Sequence, residues 1–410
     1  MALASTSRVQ MRYILESVLG TIPTTGNSYD LRVTGESFNF DLTKETSKEI
    51  NSSRTTLSQV AVSASSAGGI QAELSYAEYD RLLASLMEST WTVFGTNGVQ
   101  GTGSSATFAT GTITAAVATS GADSWATLQK GQWFTVLAPT GANDGKLFRV
   151  STSAAAPTTT VINLDASTPA TAEGPIAATK VCTSRLTHGT TITSFTIEKQ
   201  MLDVGQYFAY KGQVPSKMSL NAASGSLTTM SIDFMGLGTV RNTATNIAGT
   251  TTNTVSLSYT GHSAVSNPQS LIWEGGAPTA GMYIKSIALE YDNAIRQQSA
   301  IGSLAPVDVA AGTIAAKATL SMYFANGDIY DKFIANTATT LIWASLDPSG
   351  NGYVFTMPNC NLTSYKVTAG AKDQDMMAEV VVTLLEDRAN ATAALRKVMM
   401  IDRVGVAVTP

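Results

Sequence analysis

Histidine and cysteine are close to absent from this chain, two of each in 410 residues. His188 stands in Thr-His-Gly-Thr and His262 in Gly-His-Ser, neither with a second histidine or a cysteine at ligand spacing, so no zinc signature can be written. Cys182 and Cys360 are too few for a disulfide framework, and a reducing compartment is the simpler reading. Charged residues make up only 14%, well below the roughly 25% of an average soluble domain. No apolar run reaches the ~18 residues that a membrane-spanning helix needs. Met1 to Gly20 carries Arg8, Arg12 and Glu16 without a continuous apolar core, so it does not read as a signal peptide. The expectation is a soluble protein made in a cytoplasm.

Catalytic motifs are missing too. Gly225-Ser226 and Gly302-Ser303 lack the Gly-x-Ser-x-Gly frame of a nucleophile elbow. Gly236-Leu237-Gly238 has no third glycine, and no Gly-Lys-Ser/Thr follows any glycine run, so phosphate-cradling loops are unsupported. Asp373 and Asp375 resemble half of a calcium loop, without its glycine and distal glutamate, and read as a solvated turn. A net charge of −4 disfavours a nucleic-acid binder, which needs clustered Lys and Arg. No enzyme and no cofactor are expected.

Thr, Ser, Ala and Gly take the place of the charge, in short alternating runs, and 44% hydrophobic residues suffice for a sizeable core. This composition points to a mainly β chain. Two stretches resemble each other. The first runs from Gly68 through Ile70, Ala72, Leu74 and Tyr76 to Tyr79-Asp80-Arg81-Leu82-Leu83-Ala84 and Trp91. The second runs from Gly312 through Ile314 and Leu320 to Tyr330-Asp331-Lys332-Phe333-Ile334-Ala335 and Trp343. Each reads as a half-buried strand, a short amphipathic helix and a tryptophan, so an ancestral duplication is expected. Ser75 and Glu78 form a Ser-x-x-Glu capping box before the first helix, and Asp328 takes the cap position of the second. Further strands are expected at Thr191–Ile197 and Leu227–Phe234, and at Tyr353–Thr356, Leu362–Thr368 and Ala378–Leu385.

Between the halves of the first unit lies an insertion flanked by Gly/Ala/Ser/Pro-rich hinges. Phe134-Thr135-Val136, Leu147-Phe148-Arg149-Val150 and Thr160-Val161-Ile162 suggest a small β barrel or sandwich.

Arg12-Tyr13-Ile14-Leu15-Glu16, Gly20-Thr21-Ile22-Pro23 and Leu31-Arg32-Val33-Thr34-Gly35-Glu36-Ser37 resemble the N-terminal pattern of major tail tube proteins of long-tailed bacteriophages with non-contractile tails. The phrase Asn143-Asp144-Gly145-Lys146-Leu147-Phe148-Arg149-Val150 is similar to one common in the same group. The resemblance implies a fold of sandwiched β-sheets with a flanking helix, with one tube domain per chain and hexameric rings in most such proteins. The internal repeat departs from that pattern, so the expected fold is mainly β, with two tandem tail-tube-like β-sandwich or barrel halves, each with one short flanking α-helix, plus an inserted small β domain. The expected division is 1–96 plus 187–238 for the first half, 97–186 for the insert on the tube exterior, 239–280 as connector, 281–390 for the second half and 391–410 as a C-terminal arm. It further implies a virion protein, synthesised in the host bacterial cytoplasm, that forms stacked rings around a conduit for DNA ejection and meets other tail proteins at the tube ends. Because the chain carries two halves, a homotrimeric ring with pseudo-sixfold symmetry is favoured and a hexamer comes second. DNA would pass without specific binding, and no membrane is involved.

Glu73, Asp233 and Glu379 fall on polar faces of strands and are candidates for an acidic lumen lining that repels phosphate. Lys44, Glu45, Lys48, Glu49 and Arg54 lie in the densest mixed-charge stretch and are candidates for salt-bridged contacts between rings. Ala391, Leu395, Val398 and Met399 stand at near-helical spacing in the terminal arm. The rival reading is a β-sandwich adhesin or carbohydrate-binding surface protein, which usually presents clustered aromatics; here aromatics are 7%.

Overall fold

Apolar residues alternating with Ser, Thr and charged residues set nearly half of the chain into strands, almost all of them antiparallel. The computed structural model describes residues 5–53, 55–95, 105–247, 252–253, 260–263, 271–273, 283–370, 372–390 and 395–405, with the backbone alone at 252–253 and 271–272. In chain order the principal elements are β1 (Val9–Leu15), β2 (Asn39–Thr46), β3 (Gln59–Glu73), α1 (Asp80–Leu86), β4 (Phe195–Met201), β5 (Gln206–Ala223), β6 (Thr229–Gly236) and β7 (Gly238–Asn242). They are followed by β8 (Leu271–Trp273), β9 (Ile284–Asp292), β10 (Ala315–Tyr323), α2 (Asp328–Ala335), β11 (Thr339–Leu346), β12 (Gly352–Thr368), β13 (Met377–Leu384) and β14 (Met400–Val404).

The second eight elements repeat the pairings of the first. β1 pairs with β4 as β8 pairs with β11. The first half of β5 lies between β4 and β7, and the first half of β12 between β11 and β14. The second half of β5 pairs with β6, then β3, then β2; the second half of β12 pairs with β13, then β10, then β9. Each long strand changes partners beside register shifts: β5 passes from β4 to β6 at Gln213 and Val214, β12 passes from β11 to β13 at Cys360, and a bulge follows between Pro215 and Lys217 in β5 and between Leu362 and Ser364 in β12. The extra residue bends the strand so that one chain segment serves two sheets. Helix α1 packs on β5, and α2 on β12.

The two sets are joined by β5 and β9, which run antiparallel from Lys217–Asp292 to Ala223–Ser286. The result is one eight-stranded antiparallel sheet in the order β2-β3-β6-β5-β9-β10-β13-β12. Its apolar face, with Ile70, Ile232, Met218, Leu289, Leu320, Val380 and the α1 residues Leu82, Leu83 and Leu86, forms one continuous core.

Three expectations need correction. The Ser75–Glu78 box does not cap α1: the helix starts at Asp80, with Tyr79 at its N-cap and no side-chain cap. Ser75 is instead buried in a bridge to Gly261, because the Leu74 N–H bonds Thr228 and the His262 N–H bonds Leu74. Asp328 likewise opens α2 with Gly327 at its N-cap and no side-chain cap. Glycine is also a false anchor for aligning the repeats. Matched on the bulges, Gly68 and Gly69 correspond to Ala318 and Thr319 rather than to Gly312. Gly68 is needed for a local reason, since a side chain there would collide with the Phe38 backbone.

The 105–183 stretch builds two small sheets. Trp133–Leu137 lies between Leu147–Arg149 and Lys180–Cys182, and Val161–Asn163, Thr112–Ala115, Ala106–Ala109 and Glu173–Ile176 form the other. Phe108, Ile113, Trp125, Phe134, Phe148, Ile162 and Val181 fill a separate core. Trp133 and Leu147 join a further cluster with Ile342, Leu346, Val354 and Val404, so this unit leans on the second set. The Asn143-Asp144-Gly145 phrase is a turn locked from within: the Asn143 amide donates to the Thr171 carbonyl and accepts from its N–H, and Asp144 accepts from the Ala138 N–H. Gly145 takes the positive φ of 70° that the turn requires.

Strand β14 ties the chain together. The buried Asp402 accepts two 2.7 Å bonds from the Arg185 guanidinium and a 3.0 Å bond from the Trp133 N–H. Its neighbour Arg403 pairs with the buried Asp80 at the start of α1, and the Tyr353 hydroxyl donates to the same carboxylate. Ala391 lies outside the described residues, while Leu395 and Met399 are buried on their own chain. Among the described residues no helix is long and apolar enough to cross a membrane.

Candidate functional site: a polar sheet face with two open edges

The face of the eight-stranded sheet turned away from the helices is polar, because strand residues alternate strictly between core and exterior. Glu73, Asp233 and Glu379 all lie on this face, exposed, on β3, β6 and β13. They are not adjacent: Glu73 pairs with Thr229, Asp233 with Gly69 and Lys217, and Glu379 with Ser321 and Lys366. Lys317, which the alignment of the two stretches sets against Glu73, shares the face with them; composition alone did not indicate Lys217, Glu290 and Asp292. Glu290 takes Lys217 at 2.9 Å and Lys317 at 3.3 Å. The hydrogen bond from Lys217 holds the Glu290 carboxyl below its ordinary range and raises the lysine, while partial burial raises Asp233. The face is therefore a mixed lattice in which Asp41, Glu73, Asp233, Glu290, Asp292 and Glu379 outnumber Lys217, Lys317 and Lys366.

The outer ends of β2 and β3 form a hairpin whose residues are exposed on both faces. Lys44 and Glu45 lie on β2 opposite Ala61 and Val60, and Lys48 and Glu49 lie toward the tip, all four exposed; Arg54 lies outside the described residues. The signal missed in the sequence is apolar: Leu42, Ile50, Leu57, Val60 and Val62 are exposed on the same hairpin. A second hairpin, Arg296–Gln298 with Asp308–Ala310, exposes Ile301, Leu304 and Val307. It lies alongside the first, with the Ala64 N–H bonded to the Leu304 carbonyl and the Gln297 amide to Ser66 and Gly236.

His262 is fully buried between the two sets, with Nδ1 3.1 Å from the Ser345 hydroxyl. Among the described residues no cluster of His, Cys, Asp and Glu could hold a metal ion. What the surface offers is a long sheet with polar and apolar faces, two strand edges without partners among the described residues, and a projecting pair of hairpins.

No curated protein matches the chain. A family model described as phage tail tube protein matches residues 6–384 and so runs through both sets of strands and the stretch between them. With a match over nearly its whole length, on a mainly β architecture, the chain belongs to the phage tail tube protein family, structural components of the virion tail.

Proposed function

We propose that three copies of this chain close into a ring with pseudo-sixfold symmetry, that rings stack into a hollow tube, and that the polar face of the eight-stranded sheet lines the bore through which DNA leaves. The observation that carries the reading is the internal repeat: two sets with the same pairings, already joined edge to edge through β5 and β9. Three such sheets at ~4.8 Å per strand and a tilt of ~40° close to a backbone diameter of ~48 Å, wide enough for a duplex. An excess of carboxylates over lysines on that face repels phosphate and lets DNA slide. The sets descend from a duplication, the 97–186 unit decorates the exterior, and the hairpins of β2–β3 and 296–310 meet the next ring. Other tail proteins cap the tube ends, and the role is structural, without catalysis.

Negative-stain electron microscopy of the purified chain at rising concentration tests this. Hollow tubes with threefold rings are expected. Sixfold rings of whole chains would sink the trimer, and a compact oligomer that never polymerises would sink the tube.

A further inference from the structure

We infer that neighbouring chains in the ring, on the reading just proposed, join by pairing the open edge of β12 with the open edge of the 35–41 segment in a register dictated by the β5–β9 joint. Aligned on their bulges, the strands correspond residue by residue. Lys217 of β5 matches Ser364 of β12. Their cross-strand partners carry the match to Asp233 with Val381, to Gly69 with Thr319, and to Asn39 with Glu290. Within the chain, Lys217 faces Asp292, Ser219 faces Glu290 and Asn221 faces Ala288. Between chains, the same joint places Ser364 opposite Asp41, Lys366 opposite Asn39 and Thr368 opposite Ser37. Among the described residues, 364–368 pair only with β13, and β2 pairs only with β3. Neither edge has a partner strand among the described residues, the arrangement that recruits another strand; on the 35–41 edge the Phe38 and Phe40 N–H groups are held by the Glu36 and Asn39 side chains, contacts that docking exchanges for strand pairing.

The apolar side of the joint supports the same partner independently. In the first set the helix residues Leu82, Leu83 and Leu86 are fully buried, and Tyr291 and Asn293, at and just beyond the end of β9, close over that end of the core; the Asn293 amide donates to the Leu86 carbonyl. The second set lacks this cover: Ile334 of α2 is 64% exposed and Tyr330 is 49% exposed, with Tyr330 lying against Tyr365 at 5.8 Å between ring centroids. The counterparts of Tyr291 and Asn293 are Phe40 and Leu42, both apolar and incompletely buried. A second copy docked in the stated register brings Phe40 and Leu42 onto α2 and covers the exposed patch. On the polar side Lys366 and Asp41 lie diagonal to each other, at the places that Ser219 and Asp292 hold in the β5–β9 joint, and bring opposite charges to the same face.

Paired cysteines test the register. Asn39→Cys with Lys366→Cys, both exposed positions, is oxidised in the assembled full-length chain, and the products are separated without reductant. The native Cys182 and Cys360 are buried. The two positions lie at opposite margins of an eight-stranded sheet, so any bond between them is intermolecular. Covalent dimers and closed trimers are expected, and none from Asn39→Cys with Val367→Cys, whose side chains point to opposite faces. Ile334→Glu should leave the melting temperature of the chain unchanged and raise the concentration needed for assembly about tenfold or more. Tubes that cross-link only in the shifted pair, or in neither, overturn this register and leave the ring reading standing. Failure of the unmodified chain to form any ring overturns both.

Discussion

Arg185 and Asp402 are nearly inaccessible to water and bond each other through two parallel contacts, while Asp402 also holds the Trp133 backbone. Such a pair contributes little relative to a well-packed apolar replacement, but removing one member strands the other charge in the core. Arg185→Ala should therefore lose ~3–5 kcal/mol in urea denaturation, and replacing both members by apolar residues of similar volume should cost much less. His262 gives a pH-dependent counterpart. Burial pushes its imidazole down to about 4, with Asp347 opposing weakly. The unfolded chain then takes up a proton that the folded chain refuses. The stabilisation is fully present above pH 6.5 and is lost as pH falls toward 4, up to ~3 kcal/mol from this residue. His262→Asn should flatten the difference between melting curves taken at pH 7 and pH 4.5 relative to the unmodified chain. The isolation of both histidines was plain in the sequence. That His262 meets Ser345 was not, because only the fold brings those segments together.

The alternations Met230-Ile232-Phe234 and Val380-Val382-Leu384 identify β6 and β13 and the faces they bury. The same alternation reads β12 as two strands, broken around Pro358 and Asn359 where the pairing with β11 slips, and it gives no strand over the 206–223 stretch of β5. Helix caps were misjudged for a related reason: Ser75 has the right spacing, yet the sheet claims it first through Gly261. The hairpins show the same limit of composition. Charges at Lys44, Glu45, Lys48 and Glu49 suggest salt-bridged docking, while the exposed Ile50, Leu57, Val60 and Ile301 give the projecting end an apolar character. Contacts made through such tips strengthen relative to ionic ones as salt rises. Tubes should therefore survive molar sodium chloride, and Ile50→Asp with Ile301→Asp should shorten or abolish them while changing monomer stability by under ~0.5 kcal/mol. Sedimentation at low and high salt separates the two chemistries, and dissolution of wild-type tubes by salt would favour the charged residues.

Across the whole chain, the resemblance of 68–91 to 311–343 marks a repeat whose full extent lies in the pairing pattern, including β7 with β14 and β1 with β8. Those strands carry little common sequence: Tyr13 answers to Trp273, and nothing in either identity announces the match. The two sets nevertheless differ where they must. The first hosts the 105–183 unit between α1 and β4, and the second receives its Trp133 in a pocket of Ile342, Leu346, Val354 and Val404. The joint between β5 and β9 also bears on the kinetics of assembly. A ring of six tube units built from separate chains must collect six bodies, and its nucleation would rise steeply with concentration. In the three-chain ring proposed above, every second joint is completed when the chain folds, at an effective concentration set by the connecting peptide rather than by the number of free subunits. Nucleating a first ring then requires the meeting of three bodies, so tubes can start at subunit levels too dilute for a single-unit relative of the same edge strength.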